Sequence, residues 1–392
     1  MGSQASVADG AASRTRTLGI VTSIHPDFDA RIWKHARAVA AAGWKVRLVA
    51  PWDPAGAAIP DGIELIPFPR VQHRLKRPVL IPARIARRLL PILSSCDIVH
   101  FHDIDILPWM SAVSLVKPVV YDVHEDYPEE MLVRDWVPNV LRRPLSIGVE
   151  VGQRLFARPI RNIVLTQPLL DREFRGSRFR KITLPNYASL SLLDGVADDY
   201  LSRRPTVIFI GTQHPNNGSL LFLDIAERVK AMRPEVRFLT VDRFTGDKFR
   251  EEVLGQVGSR GLDNVELIPN VRPHELMRSL NRATIALSPN LRVKQQINGA
   301  HNKIYEFMAA GLPQVASDLP HQLEVIGGSD AGILARPEDA GSFADAIARI
   351  VDDPQLGLRL GRNGQRAFRE RYSWESQMPK LLGMYAEILA DR

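Results

Sequence analysis

Two series of alternating segments constrain the fold of this chain most strongly. Short apolar runs that predict strands are separated by segments with the 3.6-residue periodicity of helices, first over residues 18–166 and again over 206–317. Strands that alternate with helices in this way form parallel sheets that helices cover on both faces. The sequence therefore predicts an α/β protein with two doubly wound, Rossmann-like domains facing a central cleft.

Each series contains enough strands for one sheet. The first predicts strands over 18–23, 45–50, 97–101, 118–123 and 162–166, and a helix over 30–42. After a polar stretch from Asp194 to Pro205, the second predicts strands over 206–211, 237–241, 265–269, 283–289 and 314–317, with helices over 219–232 and 274–280. The chain has 392 residues, 45% of them hydrophobic, which favours two domains of about 150–200 residues each over one core.

Composition also indicates the cellular compartment in which the protein folds. No apolar run reaches the ~18–20 residues of a membrane-spanning helix. Residues 1–16 are small and polar, which predicts a disordered tail and not a secretion signal, although Gly2 and Ser6 fit the spacing of a myristoylation motif. Cys96 is the single cysteine, which excludes an internal disulfide and fits a reducing, cytoplasmic location.

A segment of the second half combines a helix that is predicted to be buried with an acidic and a basic residue. Over residues 302–313, Gly311 ends the predicted helix and Pro313 prevents it from resuming. A polar loop over 290–301 leads to this helix from the carboxyl end of a predicted strand. Lys303 in the first turn suits a phosphate, and Glu306 on the same face suits the two hydroxyls of a ribose. An exposed, purely structural Lys–Glu pair is the alternative.

Three polar clusters follow predicted strands of the first half. The first contains His25, Asp29 and Arg31, of which Asp29 is expected to cap the following helix, while the other two have no evident structural need to be there. The other two clusters are residues 100–105 and 121–128, which include His102, Asp103, His124 and Glu125. Ligands of doubly wound sheets bind beyond the carboxyl ends of the strands, so we expect these residues to converge on a binding site.

Other functions fit these clusters less well. His100 and His102 lie on one face of a strand, and His124 or Asp103 could complete a metal site. No later His/Asp pair supplies the remaining ligands, so no bound metal is expected. A serine hydrolase is excluded because the chain has no Gly-x-Ser-x-Gly segment.

The positive charge of the chain is concentrated in one segment. The formal net charge is +7, and seven basic residues without any acid lie between Arg70 and Arg88, interleaved with apolar residues. This pattern predicts a basic amphipathic helix, which would bind an anionic membrane surface. A solvated face of an ordinary helix is the alternative. Nucleic acid is not expected as a partner, because the stripe has no interleaved aromatic residues.

Taken together, these segments resemble the bacterial glycosyltransferases of family 4 (group 1), which have the two-domain GT-B fold. The resemblance runs from about residue 18 to 389. It rests on five segments in the expected order: HPxxDxRI at 25–32, HFHD at 100–103, YDVHEDYP at 121–128, a segment similar to NKxxEYMAAGxP at 302–313, and Tyr-Ser-Trp-Glu at 372–375.

The resemblance implies a role for each part of the chain. Residues 17–190 would form the acceptor-side domain and 191–372 the nucleotide-sugar domain, and the helix over 373–392 would cross back to the first domain. His124, Glu306 and Lys303 would act at the reaction centre. His25, Arg31, His102, Asp103 and Glu125 remain further candidates for substrate binding.

The chain departs from the family pattern at the donor site. The family's E-x7-E pair ends here at Glu306 but begins with Asn298, so the identity of the transferred sugar cannot be carried over. The loop that begins at Gly211 lacks the Arg and Lys that clamp the diphosphate in the family. Compensating cations are expected, and the candidates are Lys303, Lys294 and Arg292. In the family another loop holds the nucleotide base, and this loop corresponds here to Val271 and Arg272.

The function implied is transfer of a sugar from a nucleotide-sugar donor to a saccharide or lipid-linked acceptor, with retention of configuration and without a metal or other cofactor. Such an enzyme of bacterial surface polysaccharide synthesis would work in the cytoplasm, in peripheral contact with the membrane. Two alternatives remain open. A sugar-nucleotide epimerase of similar fold would use Glu125 or Asp126 as acid or base, and a catalytically silent nucleotide-sugar binder would fit the Asn298 departure.

Overall fold

The computed structural model describes residues 15–25, 29–52, 59–71, 80, 94–134, 137–270 and 275–391. The chain forms two compact units, Met1–Pro185 with Met378–Arg392, and Asn186–Gln377. Most of the basic segment from Arg70 to Arg88, together with Val271 and Arg272, lies outside the described residues.

The first unit is built on a parallel sheet. Its strands are β1 (Thr17–Val21), β2 (Lys45–Ala50), β3 (Ile63–Pro67), β4 (Ile98–Phe101), β5 (Val119–Val123), β6 (Asn162–Leu165) and β7 (Arg180–Thr183). Every pair of neighbours is parallel, in the spatial order β3-β2-β1-β4-β5-β6-β7. The direction of winding reverses between β1 and β4, which opens a crevice at their carboxyl ends.

The second unit repeats this plan. Its strands are β8 (Thr206–Phe209), β9 (Arg237–Val241), β10 (Val265–Ile268), β11 (Ile285–Ser288), β12 (Gln314–Ser317) and β13 (Gly332–Ala335). They are also parallel, in the order β10-β9-β8-β11-β12-β13, and the winding reverses between β8 and β11. The predicted α/β class with two Rossmann-like domains is confirmed.

Helices connect the strands in both units. Those of the first unit are α1 (Ala30–Ala41), α2 (Leu107–Val113), α3 (Tyr127–Val133) and α4 (Asn139–Ala157). Those of the second are α5 (Ser219–Met232), α6 (Asp247–Ser259), α7 (Leu276–Leu280), α8 (Lys294–Asn298), α9 (Lys303–Ala309), α10 (Pro320–Val325), α11 (Ala340–Asp352) and α12 (Pro354–Ala367). The last helix, α13 (Trp374–Ala390), begins in the second unit, and from Met378 its residues belong to the first, as the crossover prediction requires.

The central strands bury polar residues that later form the site. β4 and β5 are buried at every position, because helices cover both faces of the sheet. His100 in β4 and Asp122 in β5 therefore have no access to water and must find partners within the protein. At the start of α1, the Asp29 carboxylate accepts hydrogen bonds from the backbone N–H groups of Arg31 and Ile32, which confirms the predicted cap.

Some elements differ from the prediction. β3, β7 and β13, whose residues are mostly half-buried, were not predicted. Polar residues interrupt the apolar pattern of β3 and β7, whereas β13 is a short apolar run that was overlooked. It was also wrong to describe residues 290–301 as a loop, since they contain the short helix α8. A single turn of helix does not produce a detectable period.

Candidate functional site

The polar clusters of the first unit meet at the carboxyl edge of its sheet. His25 follows β1, Asp103 follows β4 and His124 follows β5, on both sides of the point where the winding reverses. His25 Nε2 lies 3.4 Å from Asp103 Oδ1, and the His25 and His124 rings are 4.9 Å apart. Asp103 is held in turn by the Thr22 hydroxyl and the Ser23 backbone N–H, at 2.9 and 2.6 Å. The three clusters thus form one site.

Arg31 is 4% exposed and makes its contacts within the first unit. Its buried guanidinium donates to both oxygens of Asp122, at 2.8–3.2 Å, and to the Leu184 carbonyl at 3.1 Å. Burial would raise the pKa of Asp122, but the charge of Arg31 and the neighbouring histidines together outweigh it and hold the pKa well below its usual range. The expectation that Arg31 has no structural role is therefore wrong, because it neutralises a buried carboxylate.

Four histidines and a tyrosine form a continuous chain of hydrogen bonds above Asp122. His124 Nε2 lies 2.9 Å from His102 Nδ1, and His102 Nε2 lies 3.4 Å from His35 Nδ1. The Tyr385 hydroxyl of α13 closes the chain, at 2.8 Å from His35 Nε2 and 2.7 Å from His100 Nδ1. Burial lowers the pKa of His35, His100 and His102, so these rings are neutral at pH 7.

The buried carboxylate of Asp122 faces three of these rings. Its oxygens lie 3.3 Å from His102 Nδ1, 3.5 Å from His100 Nε2 and 3.6 Å from His124 Nε2. A carboxylate favours N–H groups facing it, and His102 Nδ1 is the nearest of the three nitrogens. The protonation of the four rings is thus coupled through their shared hydrogen bonds.

His25 lies among carboxylates at the same edge. Burial would lower its pKa, but the 2.7 Å hydrogen bond to Asp29 and the charges of Asp103, Asp29 and Asp122 raise the pKa above its ordinary value. Its backbone carbonyl accepts a hydrogen bond from Trp52 Nε1 at 2.8 Å, which fixes the loop.

The acids after His124 have separate environments. Glu125 is exposed, and partial desolvation followed by the charge of Glu130 raises its pKa. Asp126 accepts a hydrogen bond from the Glu129 backbone N–H as the cap of α3, and it pairs with Arg172. Asp126 is thus occupied by structural contacts, which disfavours the acid/base role that an epimerase would give it.

The first unit contains more potential metal ligands than the sequence analysis expected. Two sets of ligand atoms lie within 4.8 Å of one another, one from His35, His100 and His102 and one from His102, Asp122 and His124. The expectation that no further residues complete a set was therefore wrong. Both sets are nevertheless committed to other bonds, because Tyr385 bridges His35 and His100 and Arg31 occupies both oxygens of Asp122. A metal would have to displace these contacts.

The second unit has its own polar edge where its winding reverses. Gly211 follows β8 with a φ of +102°, in the left-handed region that favours glycine. Gly218 ends the same loop, and a Cβ there would lie 1.8 Å from the Pro289 carbonyl oxygen after β11. Asn217 accepts a hydrogen bond from Gln296, which accepts one from Asn290, both at 2.8 Å. The loop that begins at Gly211 is therefore held against the end of β11.

Lys303 is aimed at the carboxyl end of β8. Its Nζ lies 3.5 Å from the Ile210 carbonyl oxygen and 4.6 Å from the centre of the Phe209 ring. Burial lowers the pKa of Lys303 to about 8, against the opposing charge of Glu306, which is half-buried one turn later. The alternative of an exposed, purely structural Lys–Glu pair does not fit this environment.

The other candidate cations are more exposed. Arg292 donates to the Asp318 carbonyl at 3.3 Å, and its backbone N–H donates to Glu338. Lys294 and Asn298 lie exposed at the first and last positions of the five-residue α8. Of the three compensating cations considered, Lys303 has its amine 3.5 Å from the carbonyl of Ile210, the residue before Gly211.

Comparison with known proteins places the chain in a family. A sequence model described as "Glycosyltransferase Family 4" matches residues 30–176, and one described as "Glycosyl transferases group 1" matches residues 204–353. This chain belongs to the family 4, group 1 glycosyltransferases.

Other glycosyltransferases of this group align with the chain over different lengths. The phosphatidyl-myo-inositol mannosyltransferase of Mycobacterium leprae is 24% identical over 90% of this chain and 91% of its own length. The Mycolicibacterium smegmatis protein of the same name is 27% identical over 53% of this chain and 50% of its own. In that alignment the chain spans about half the length of the relative.

A solved structure supports the GT-B fold. The Anabaena protein HepE, in complex with UDP, superposes with a TM-score of 0.66 at 14% identity, covering 94% of this chain and 100% of that protein. Among the described residues of this glycosyltransferase, no helix is both long and apolar enough to span a membrane.

Several site residues of this glycosyltransferase were not found from sequence. His35 lies four residues after Arg31 on α1, so the two side chains share one face of the helix, and both are buried. Two polar residues on the otherwise apolar face of a predicted helix were the signal that the sequence offered. Asp122 belonged to the predicted cluster over 121–128, but its place between apolar residues of a strand was not recognised as the sign of a buried ion pair. Gln296 and Tyr385 gave no signal, since their partners lie 79 and 350 residues away in sequence.

Proposed function

We propose that this glycosyltransferase moves a sugar from a nucleotide-sugar donor to a saccharide or lipid-linked acceptor, with retention of configuration and without a bound metal. The observation that carries the proposal is the position of Lys303, whose amine lies beside Gly211 where the second sheet reverses its winding. Nucleotides bind doubly wound sheets at this point.

The second unit would bind the donor. At pH 7 the Lys303 amine is mostly charged, because its pKa is about 8, and it would pair with the diphosphate. α9 has only seven residues, so this cation contributes more than the helix dipole. Glu306 would accept hydrogen bonds from the ribose hydroxyls. The UDP complex of HepE is consistent with a nucleotide ligand for this fold.

The first unit would position the acceptor and the reacting sugar. His124 is 12% exposed, and its Nε2 is held by His102 Nδ1, so its other ring nitrogen remains to form a hydrogen bond with a sugar hydroxyl. The His25 ring and the carboxylate of Asp103 offer further polar groups nearby. These fixed polar groups orient a polyhydroxylated substrate without supplying a nucleophile.

The chemical step would need little from the protein beyond electrostatics. The bond between the anomeric carbon and the diphosphate oxygen breaks, and the acceptor oxygen bonds to the same face of that carbon. The acceptor proton passes to the leaving phosphate oxygen. Lys303 stabilises the charge that develops on this oxygen, so transition-state stabilisation comes from a cation placed in advance.

The acceptor is proposed to be a polyol, saccharide or lipid-linked saccharide of bacterial surface polysaccharide synthesis. Two relatives named phosphatidyl-myo-inositol mannosyltransferases support a lipid-linked class. Such an acceptor would place the enzyme in the cytoplasm, in peripheral contact with the inner face of the membrane. Because Asn298 replaces the family acid, the donor sugar has to be found by experiment.

A ligand panel tests this proposal directly. Thermal unfolding of the wild-type protein should be measured with UDP, GDP, ADP and their sugar conjugates, because a ligand that binds only the folded state raises the melting temperature. We expect the nucleotides of one base to raise the melting temperature strongly. In the Lys303→Ala variant the same nucleotides should raise it much less. If no nucleotide stabilises the wild-type protein, the proposal fails.

A further inference from the structure

Helix α4 exposes an apolar face. Large apolar side chains cover its solvent side, with Val140 82% and Val151 58% exposed; the others are Leu141, Leu145, Ile147 and Leu155. The side that packs on the protein buries the amide of Gln153, which is 2% exposed. The usual amphipathic pattern of a surface helix is thus reversed. Contiguous apolar faces of this kind mark interaction surfaces in soluble proteins.

The apolar face extends beyond α4. Residues 140, 144, 147, 151 and 155 are spaced by three or four, so they form one stripe along the helix. Past its C-terminal end, a hollow of about 560 Å³ is lined by Arg158 and Arg161 together with Leu115 and Val116, which follow α2 and are 76% and 72% exposed. Cations and apolar side chains therefore share one depression at the end of the stripe.

The charge around this face is almost entirely positive. Between residues 139 and 161 there are five arginines and a single acid, Glu150. Glu150 pairs with Arg154 at 2.6 Å, on the edge of the helix next to Arg143. The apolar stripe therefore has a basic margin along one side and two arginines at its end. An anionic lipid surface complements both features, since acyl chains receive the stripe and phosphates receive the arginines.

The same charge disfavours a second copy of the chain as the occupant. A two-fold interface places identical surfaces together, so the net positive charge of this segment, five arginines against Glu150, would face the same charge on the second copy. We propose that α4, with residues 115 and 116, docks on anionic phospholipid, the helix lying in the plane of the membrane interface. In sequence these residues are distinct from the basic segment between Arg70 and Arg88. The inference deepens the peripheral membrane contact of the proposed function and does not depend on the transfer reaction.

Vesicle binding tests the docking surface. The full-length protein should be sedimented with vesicles of phosphatidylglycerol and phosphatidylcholine, and with phosphatidylcholine alone. We expect binding to the anionic vesicles that falls as salt rises, and at least a tenfold weaker partition for the double variant Ile147→Glu/Val151→Glu. The matched control, Leu201→Glu/Leu323→Glu, changes two residues of the second unit that are 51% and 54% exposed, and it should bind like wild type.

A fluorescent probe tests insertion at a single position. Cys96 is buried, so Val151→Cys adds the accessible thiol for labelling with an environment-sensitive fluorophore. We expect a blue shift with anionic vesicles, and none for Leu323→Cys labelled in the same way. Unchanged binding of the Ile147→Glu/Val151→Glu variant would overturn the inference. So would self-association that this variant abolishes in the absence of lipid, which would identify a second copy as the occupant.

Discussion

Replacing Lys303 with alanine removes an amine that lies 3.5 Å from the Ile210 carbonyl at the carboxyl end of β8. In the proposed donor site this amine pairs with the diphosphate and makes no contact with the base or ribose. A nucleoside diphosphate should therefore lose affinity in the variant, whereas the corresponding nucleoside should not. The comparison separates a phosphate-binding role from a structural one, because a structural loss would affect both ligands.

The size of the effect follows from the charge of the amine. A hydrogen bond to a charged group contributes about 1.5–3 kcal/mol, so the dissociation constant of the diphosphate should rise about 10- to 150-fold. An amine with a pKa of about 8 is roughly 90% charged at pH 7 and roughly 10% at pH 9. Diphosphate affinity of the wild-type protein should therefore fall by up to about tenfold over this range. The diphosphate affinity of the Lys303→Ala protein should not decrease in this way between pH 7 and pH 9.

Isothermal titration calorimetry of the best diphosphate and its nucleoside, at pH 7 and pH 9, measures both effects. Lys230→Ala is the matched control, because Lys230 pairs with Asp263 on a different part of the second unit. Lys294→Ala and Arg292→Ala then show whether the exposed cations share the role. Equal losses for nucleoside and diphosphate, or the same pH dependence with and without Lys303, would refute the assignment.

Four further predictions follow from the two sites. Glu306→Gln should weaken nucleotide binding by about 1.5–3 kcal/mol by calorimetry, and unchanged affinity would remove Glu306 from the site. Asp122→Asn should destabilise the protein by about 3–5 kcal/mol in denaturant unfolding, because it removes the carboxylate that forms a buried ion pair with Arg31. Activity should survive EDTA, and stoichiometric zinc in the purified protein would contradict this. Binding to anionic vesicles should weaken in the triple variant in which Arg84, Arg87 and Arg88 become glutamate, and this variant should still use a soluble acceptor.

The pH dependence of the Asp122 contribution has a definite sign. The folded-state pKa of Asp122 is lowered, so its stabilising effect is present above the unfolded pKa of an aspartate and is lost as pH falls through the folded value. Stability of the wild-type protein should therefore decline in acid, and Asp122→Asn should flatten that part of the curve.

Local signals predicted most of the fold from the sequence. β2, β9, β12 and α5 have the bounds that the sequence predicted, since largely buried strands leave short apolar runs and amphipathic helices leave a 3.6-residue period. β7 was missed because its residues, Arg180–Thr183, are all half-buried, so only the sheet's neighbouring strand defines it.

The site was predictable only where its residues follow strands. His25, Asp103 and His124 were found because they stand at strand ends, where parallel sheets bind ligands. The partner of Arg31 was not found, since a buried ion pair joins residues 91 positions apart and carries no local pattern. Tyr385 was missed for the same reason, because its contacts with the histidines depend on where α13 ends.

The configuration of the product tests the central claim most directly. The enzyme should be incubated with the nucleotide sugar selected by thermal unfolding and with a panel of polyol, saccharide and lipid-linked acceptors, and the product examined by NMR. We predict nucleoside diphosphate release that depends on the acceptor, and a new glycosidic bond with the anomeric configuration of the donor. An inverted product, free sugar released at the same rate without acceptor, or no turnover with any acceptor would contradict the account.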